Sequence, residues 1–314
     1  MDYDVINGAI DDIVWIVNQY NKEHGYDVSL CERLVLALLG YYLAFGPEIF
    51  DKINVVLEQL KIYQCSSELT CLMKKKELRP DDQKPDACPG TMWDYYFDKN
   101  RKFIGATPSI IYYIRNLFAD VFVLVHELAH TLEGVKGSII YENDEEIKFK
   151  YGFGEYLVDK SRTGFQKEGH GMTELITVMI ENKVYREFAK LDVEKIDNPL
   201  VKEFLNTLIR NKKFGIMLDS YTVMSALFKD LIDNDRFFEL IKKYYFENER
   251  EFFIEEFDSW DERLSLKKIA YYADKVYDED LYNVSYYAGP IRKQLEVVNE
   301  VTGFKPDTKM LIMV

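Results

Sequence analysis

The sequence predicts an α+β fold that is predominantly helical, with helices and a small sheet in an N-terminal lobe and a helical C-terminal lobe. Three observations predict it. Apolar residues return at helical spacing from Ile6 to Leu60. The period changes to alternation between Thr91 and Thr107. From Glu174 onward the pattern is helical again almost throughout.

The elements follow in order. Ile6, Ile10, Ile13, Val14 and Val17 share one side of a first helix. Ser29 and Glu32 have the spacing of a capping box. The apolar run Leu34 to Phe45 comes next, and Gly46-Pro47 ends it. That run is shorter than the ~20 residues of a membrane-spanning helix, so a buried core helix is expected. Ile49, Ile53, Val56, Leu57 and Leu60 mark a third helix. Lys74-Lys75-Lys76 and Arg79 to Pro85 are expected to form an exposed loop with solvated lysines.

Trp93, Tyr95 and Phe97 then alternate, Asp98 to Arg101 gives a turn, and Phe103-Ile104 resumes, which predicts a hairpin. Thr107-Pro108 is expected to open the approach to the next helix, with Asp120 as its cap and Gly134 at its end. Residues 138–168 read as strands and loops: Ser138 to Tyr141, Glu146 to Asp159 and Thr163 to Lys167. Asp197-Asn198-Pro199 is a turn, and amphipathic helices extend to about Val301.

Composition narrows the classes of function. The 314 residues carry ample apolar content for a core, with 23 Tyr and 20 Phe. A net charge of −14 argues against a nucleic-acid-binding surface, which needs concentrated positive charge. The acidic start, Met1-Asp2-Tyr3-Asp4-Val5, does not read as a secretory leader, so a cytoplasmic location with no membrane association is expected. Cys31, Cys65, Cys71 and Cys88 lack the paired spacing of a structural zinc site. Cys65 and Cys71 suit a disulfide only in an oxidising compartment, and free thiols are expected.

The most informative segment is His126-Glu127-Leu128-Ala129-His130, which uses two of the four histidines. It follows the apolar Val121 to Val125, which places it on a buried helix. Histidines four apart on a helix project from one face, with Cβ atoms ~5–6 Å apart. Two imidazoles so placed converge on one Zn²⁺ at ~2.0–2.1 Å each. Glu127 then stands where its carboxylate reaches a metal-bound water without ligating the metal.

At these residues the chain resembles the zincin metallopeptidases, which hydrolyse peptide bonds with one catalytic zinc. Metzincins are excluded, since Glu133 and Lys136 stand where they need Gly and His. Gluzincins take a glutamate from a second helix, and Glu174 is the candidate, a lone carboxylate among Met172, Leu175, Ile176, Val178 and Met179. Burying it without a partner is costly, and a metal is a sufficient partner. The segment also resembles the Asn/Thr-Glu-Gly-x-Thr element of bacterial HExxH proteins, with Leu175 in place of Gly. Thermolysin-like gluzincins place Asp four residues after the glutamate; Val178 stands there, so support for the histidines has to come from elsewhere.

Glu155 is the rival third ligand, since Glu155 and Asp159 do fit the Glu-x-x-x-Asp spacing, but the glycines and aromatics around it read as strands and turns. His170 is a further candidate. The resemblance implies a zincin-like lobe with a small twisted sheet ahead of the active-site helix, its edge strand near substrate. The expected organisation is 1–135 with the N-terminal helices, sheet and HExxH helix, and 136–314 with strands, third-ligand helix and helical lobe. Together they would form one catalytic unit.

The implied activity is a zinc metallopeptidase acting on a peptide or protein substrate. His126, His130 and Glu174 would hold Zn²⁺, and Glu127 would be the general base. His170, Arg162 and Tyr221 are candidates by type for stabilising the oxyanion, and the role is left unassigned. Two other readings compete. A narrowly specific zinc protease, acting as regulator or effector on one protein partner, would ignore generic peptides. A non-catalytic helical interaction protein would carry no stoichiometric metal.

Overall fold

A computed structural model describes residues 2–78, 90–97, 99–100, 103–133, 138–143, 145–151, 154–159, 165–168, 170–213, 229–232, 234–247, 255–256 and 273–274. Helix α1 (Tyr3–His24) begins where the Asp2 carboxylate accepts the Asp4 and Val5 N–H groups, and ends at Gly25 with φ 68°. Its buried side carries Ile6, Ala9, Ile10, Ile13, Val17 and Tyr20. Helix α2 (Val28–Phe45) is capped by Asp27, which accepts the Leu30 N–H. The Ser29 hydroxyl donates to that same carboxylate at 2.6 Å, so the expected Ser29/Glu32 box gives way to an aspartate cap two residues earlier. Helix α3 (Ile49–Leu57) buries Ile49, Ile53, Val56 and Leu57.

By length and composition α2 is able to cross a membrane, with 18 residues and a mean hydropathy of 1.6. Its packing favours a different role. Leu34, Val35, Leu36, Ala37, Leu38, Leu39 and Tyr41 are all buried, so it forms the core expected of the apolar run.

Two elements depart from expectation. Strand β1 (Lys61–Cys65) occupies the end of what reads as a helical region, and helix α4 (Glu68–Leu78) replaces the expected lysine-rich loop. Lys74 pairs with Glu77 at 2.8 Å, while Lys75 is buried. Arg79 to Pro85 lie outside the described residues. The expected hairpin is formed by β2 (Gly90–Phe97) and β3 (Phe103–Tyr113), which pair antiparallel. Strand β1 adds parallel to β3, giving a mixed sheet of order β1-β3-β2.

Thr107 and Pro108 belong to β3 and do not open a helix. Pro108 pairs with Trp93, one residue before the β1 pairing begins at Ser109. Its missing N–H therefore falls where β3 has a single neighbour. Helix α5 (Leu117–Glu133) starts after Asn116, whose side chain accepts the Ala119 N–H at 2.9 Å. Asp120 is thus inside the first turn, where it accepts the Arg115 N–H at 2.9 Å and Arg33 Nε at 2.7 Å. Gly134 lies outside the described residues.

A second sheet follows in sequence order, β4 (Ser138–Glu142), β5 (Glu146–Tyr151), β6 (Gly154–Asp159) and β7 (Phe165–Glu168). Helix α6 (His170–Phe188) comes next. Asn198 caps α7 (Pro199–Lys213) by accepting the Leu200 and Val201 N–H groups, and short α8 (Lys229–Ile232) precedes α9 (Asp235–Glu247). The expected helices beyond these to Val301 lie largely outside the described residues.

Chain contacts group Met1–Val135, Asp159–Gly164 and Glu181–Leu218 into one unit, and Lys136–Val158, Phe165–Ile180 and Asp219–Val314 into another. In the first, α2 is the hub. A Cβ at Gly40 would stand 2.5 Å from Val184 Cγ1, so the bare backbone lets α2 approach the last turns of α6. The Tyr41 hydroxyl donates to the Val125 carbonyl at 2.7 Å, and Phe118, Phe122 and Phe188 surround Phe204. In the second unit, Met172 to Ile180 are buried, and the Gly171 N–H donates to Asp274 at 2.6 Å. A side chain at Gly171 would collide with the backbone of Ala273.

Of the two cysteines expected as free thiols, Cys65 is free, as is Cys31, whereas Cys71 is disulfide-bonded and fully buried beside Ile111.

Candidate metal centre

Helix α5 buries Val121, Leu124, Val125, Leu128 and Ala129, and this apolar environment carries His126 and Glu127 inside with it. His126 is 5% exposed and Glu127 4%. His130, one turn later, is half-buried. The two imidazoles lie 5.1 Å apart between centroids with planes at 75°, as i,i+4 spacing on one face dictates.

Glu174 is on α6 and 3% exposed. One ligand atom from each of His126, His130 and Glu174 lies within 4.8 Å of the others. Donors at ~2.0–2.1 Å around a tetrahedral ion stand about 3.4 Å apart, so a group within 4.8 Å has the spread of a candidate site. Two neutral imidazoles and one carboxylate form a donor set that suits Zn²⁺ and leaves a position open. The group fits a divalent ion. Its identity is not fixed by the donors alone, since availability also selects the metal.

Glu127 stands outside that donor set. The Thr91 hydroxyl, on β2, lies 2.8 Å from Glu127 Oε2 and 3.1 Å from the Glu127 main-chain oxygen. A hydroxyl carries one proton, so it donates to these acceptors in turn. This bond fixes the carboxylate against the sheet. His126 Nδ1 lies 3.4 Å from Glu181 Oε2, and both side chains are buried. Glu181 follows Glu174 by seven residues, two helical turns, so both carboxylates emerge from one face of α6.

The Tyr41 hydroxyl lies in the same neighbourhood. Burial, with the negative charge of Glu181 second, holds its proton well above the usual tyrosine range.

The other sequence candidates fall elsewhere. Glu155 is on β6, opposite Glu168 in the β6–β7 pairing, and His170 is the first residue of α6. Arg162 and Tyr221 lie outside the described residues. Sequence reasoning did not single out Thr91 or Glu181. Glu181 carried a signal, the Glu-x₆-Glu spacing on a helix that otherwise buries apolar residues. Thr91 carried none, because its contact depends on how β2 meets α5.

Comparison of the chain with protein-family models, with curated proteins and with solved structures gave no match.

Proposed function

We propose that this protein is a zinc-dependent metallopeptidase of the gluzincin type. The observation that carries the reading is the convergence of His126, His130 and Glu174 beside a carboxylate, Glu127, that is not one of the donors. The zincin-like arrangement, with a small sheet ahead of the HExxH helix, is part of the proposal.

Zinc held by His126, His130 and Glu174 would supply Lewis acidity and a bound water with its pKa lowered toward ~7. The chain's own residues would do the rest. Thr91 holds Glu127 Oε2, which leaves Oε1 to take the proton of the attacking water. Glu127 then returns that proton to the departing amine. Glu181, against Nδ1 of His126, would leave Nε2 as the ligating nitrogen. Substrates are peptides or proteins. A net charge of −14 favours neutral or basic ones in the encounter.

Location belongs to the proposal as well. The Cys71 disulfide favours an oxidising compartment over the cytoplasm. Alkylation of protein taken from cells, read as a mass shift, distinguishes the two by the number of free thiols.

The test of the function is metal content by mass spectrometry on dialysed protein, followed by hydrolysis of a quenched fluorogenic peptide library. Wild type should hold about one zinc per chain. Glu174→Ala should lose it, while Glu127→Gln keeps zinc and loses hydrolysis. Wild type that takes up no metal, or Glu127→Gln that still cuts, overturns the reading.

A further inference from the structure

The geometry points to Glu181 as the positioning residue of this centre, a carboxylate that fixes the tautomer and ring orientation of His126 from two turns beyond the third ligand. The inference rests on the metal-centre reading.

The register of two helices brings the pair together. Phe122 meets Tyr185 with ring centroids 5.9 Å apart, and His126 meets Glu181 at 3.4 Å. Moving four residues forward on α5 is therefore matched by moving four back on α6, and the two helices run antiparallel. Gly40 and Tyr41 of α2 hold that register, the first by admitting Val184 and Phe188, the second by its bond to Val125. All of these residues belong to one unit of the chain.

Ring chemistry supplies the role. A neutral imidazole has one N–H and one lone pair. With Nδ1 facing a carboxylate, the proton sits on Nδ1 and the lone pair is left on Nε2 for the metal. A carboxylate acceptor also makes Nε2 more basic and hence a stronger ligand. Burial sharpens the effect: the two side chains are 7% and 4% exposed, so water does not compete for the bond. Glu174 and Glu181 thereby divide two tasks along one helix face, the first offering a donor and the second aiming one.

The experiment reads metal binding, not turnover. Zinc affinity is measured by chelator competition, and the visible spectrum of the Co²⁺ form is recorded, for wild type, Glu181→Gln, Glu181→Leu and Glu181→Asp. Thermal melts of the metal-free proteins establish that each variant folds. Glu181→Leu should weaken zinc binding roughly 10–100-fold and shift the cobalt bands. Glu181→Gln keeps an acceptor without its charge and should fall between Leu and wild type. Glu181→Asp keeps the charge one methylene short and should recover part of the loss seen in Leu. Wild-type affinity and an unchanged cobalt spectrum in both Gln and Leu overturn the role of Glu181 and leave the metal centre standing. Wild type that binds neither Zn²⁺ nor Co²⁺ overturns both.

Discussion

Thr91 contributes one hydroxyl, and its bond to Glu127 connects the sheet to the residue proposed as general base. Thr91→Val keeps the branched shape on a strand and removes only that donor. A misplaced catalytic group costs up to ~100-fold in rate. We expect kcat on a fluorogenic peptide to fall roughly 10–100-fold with zinc content unchanged, and Thr91→Ser to recover most of it. A Val variant that matches wild type would remove Thr91 from the mechanism. Tyrosines give a second prediction at this scale. Burial raises the pKa of Tyr20, Tyr41 and Tyr112 above the ordinary value of 10.0. For each, the unfolded state loses its proton first, so no stability is lost below about pH 10, and stability falls as pH rises beyond it. Absorbance at alkaline pH should show these phenols ionising only as the protein unfolds. Free ionisation of all tyrosines in the folded protein would contradict their burial.

Packing of α2 against the last turns of α6 sets the next scale. Gly40→Ala gains ~0.8–1.0 kcal/mol in helix propensity. Against this, the new methyl stands 2.5 Å from Val184 Cγ1 and 3.0 Å from Phe188, and overpacking costs ~1–3 kcal/mol. Crowding wins, so the variant should unfold at lower urea and bind zinc more weakly, because the α6 register moves with it. A stabilised Gly40→Ala would show that the helices part without cost.

Elements with local causes were legible in the sequence. The apolar stripe of α1, the hairpin of β2 and β3, and the i,i+4 histidines of α5 each follow from residues close in sequence. Glu174 was legible because a lone carboxylate among apolar neighbours needs a partner. Elements with distant causes were not. β1 exists by pairing with Ser109 to Tyr113, far along the chain, so Lys61 to Cys65 carry little strand signal of their own. Glu181 was passed over because the spacing sought was one turn, and the helix register delivers the contact after two.

For the whole molecule the weightiest fact is charge. Glu127, Glu174 and Glu181 are 4%, 3% and 3% exposed, three buried carboxylates besides Asp120, which pairs with Arg33. A divalent ion held as proposed would offset part of this charge, whose burial is otherwise costly to the folded state. Binding to the folded state alone adds ~2.7 kcal/mol at a ligand concentration 100 times Kd. Stripping metal with a chelator should therefore lower the melting temperature by several degrees, and added zinc should restore it. Glu174→Ala should melt at the same temperature with and without chelator. A wild type indifferent to chelator would mean that the carboxylates are balanced in some other way.

The contact of Gly171 with Ala273 and Asp274 has a consequence in time. These partners are separated by about one hundred residues, and the Asp274 carboxylate takes an N–H in the first turn of the helix that bears Glu174. During synthesis both histidines and Glu174 leave the ribosome well before Asp274 does. A growing chain thus carries its complete donor set while the start of α6 still lacks its cap. All three donors of the proposed metal centre are therefore synthesised before the first turn of α6 can gain this hydrogen bond.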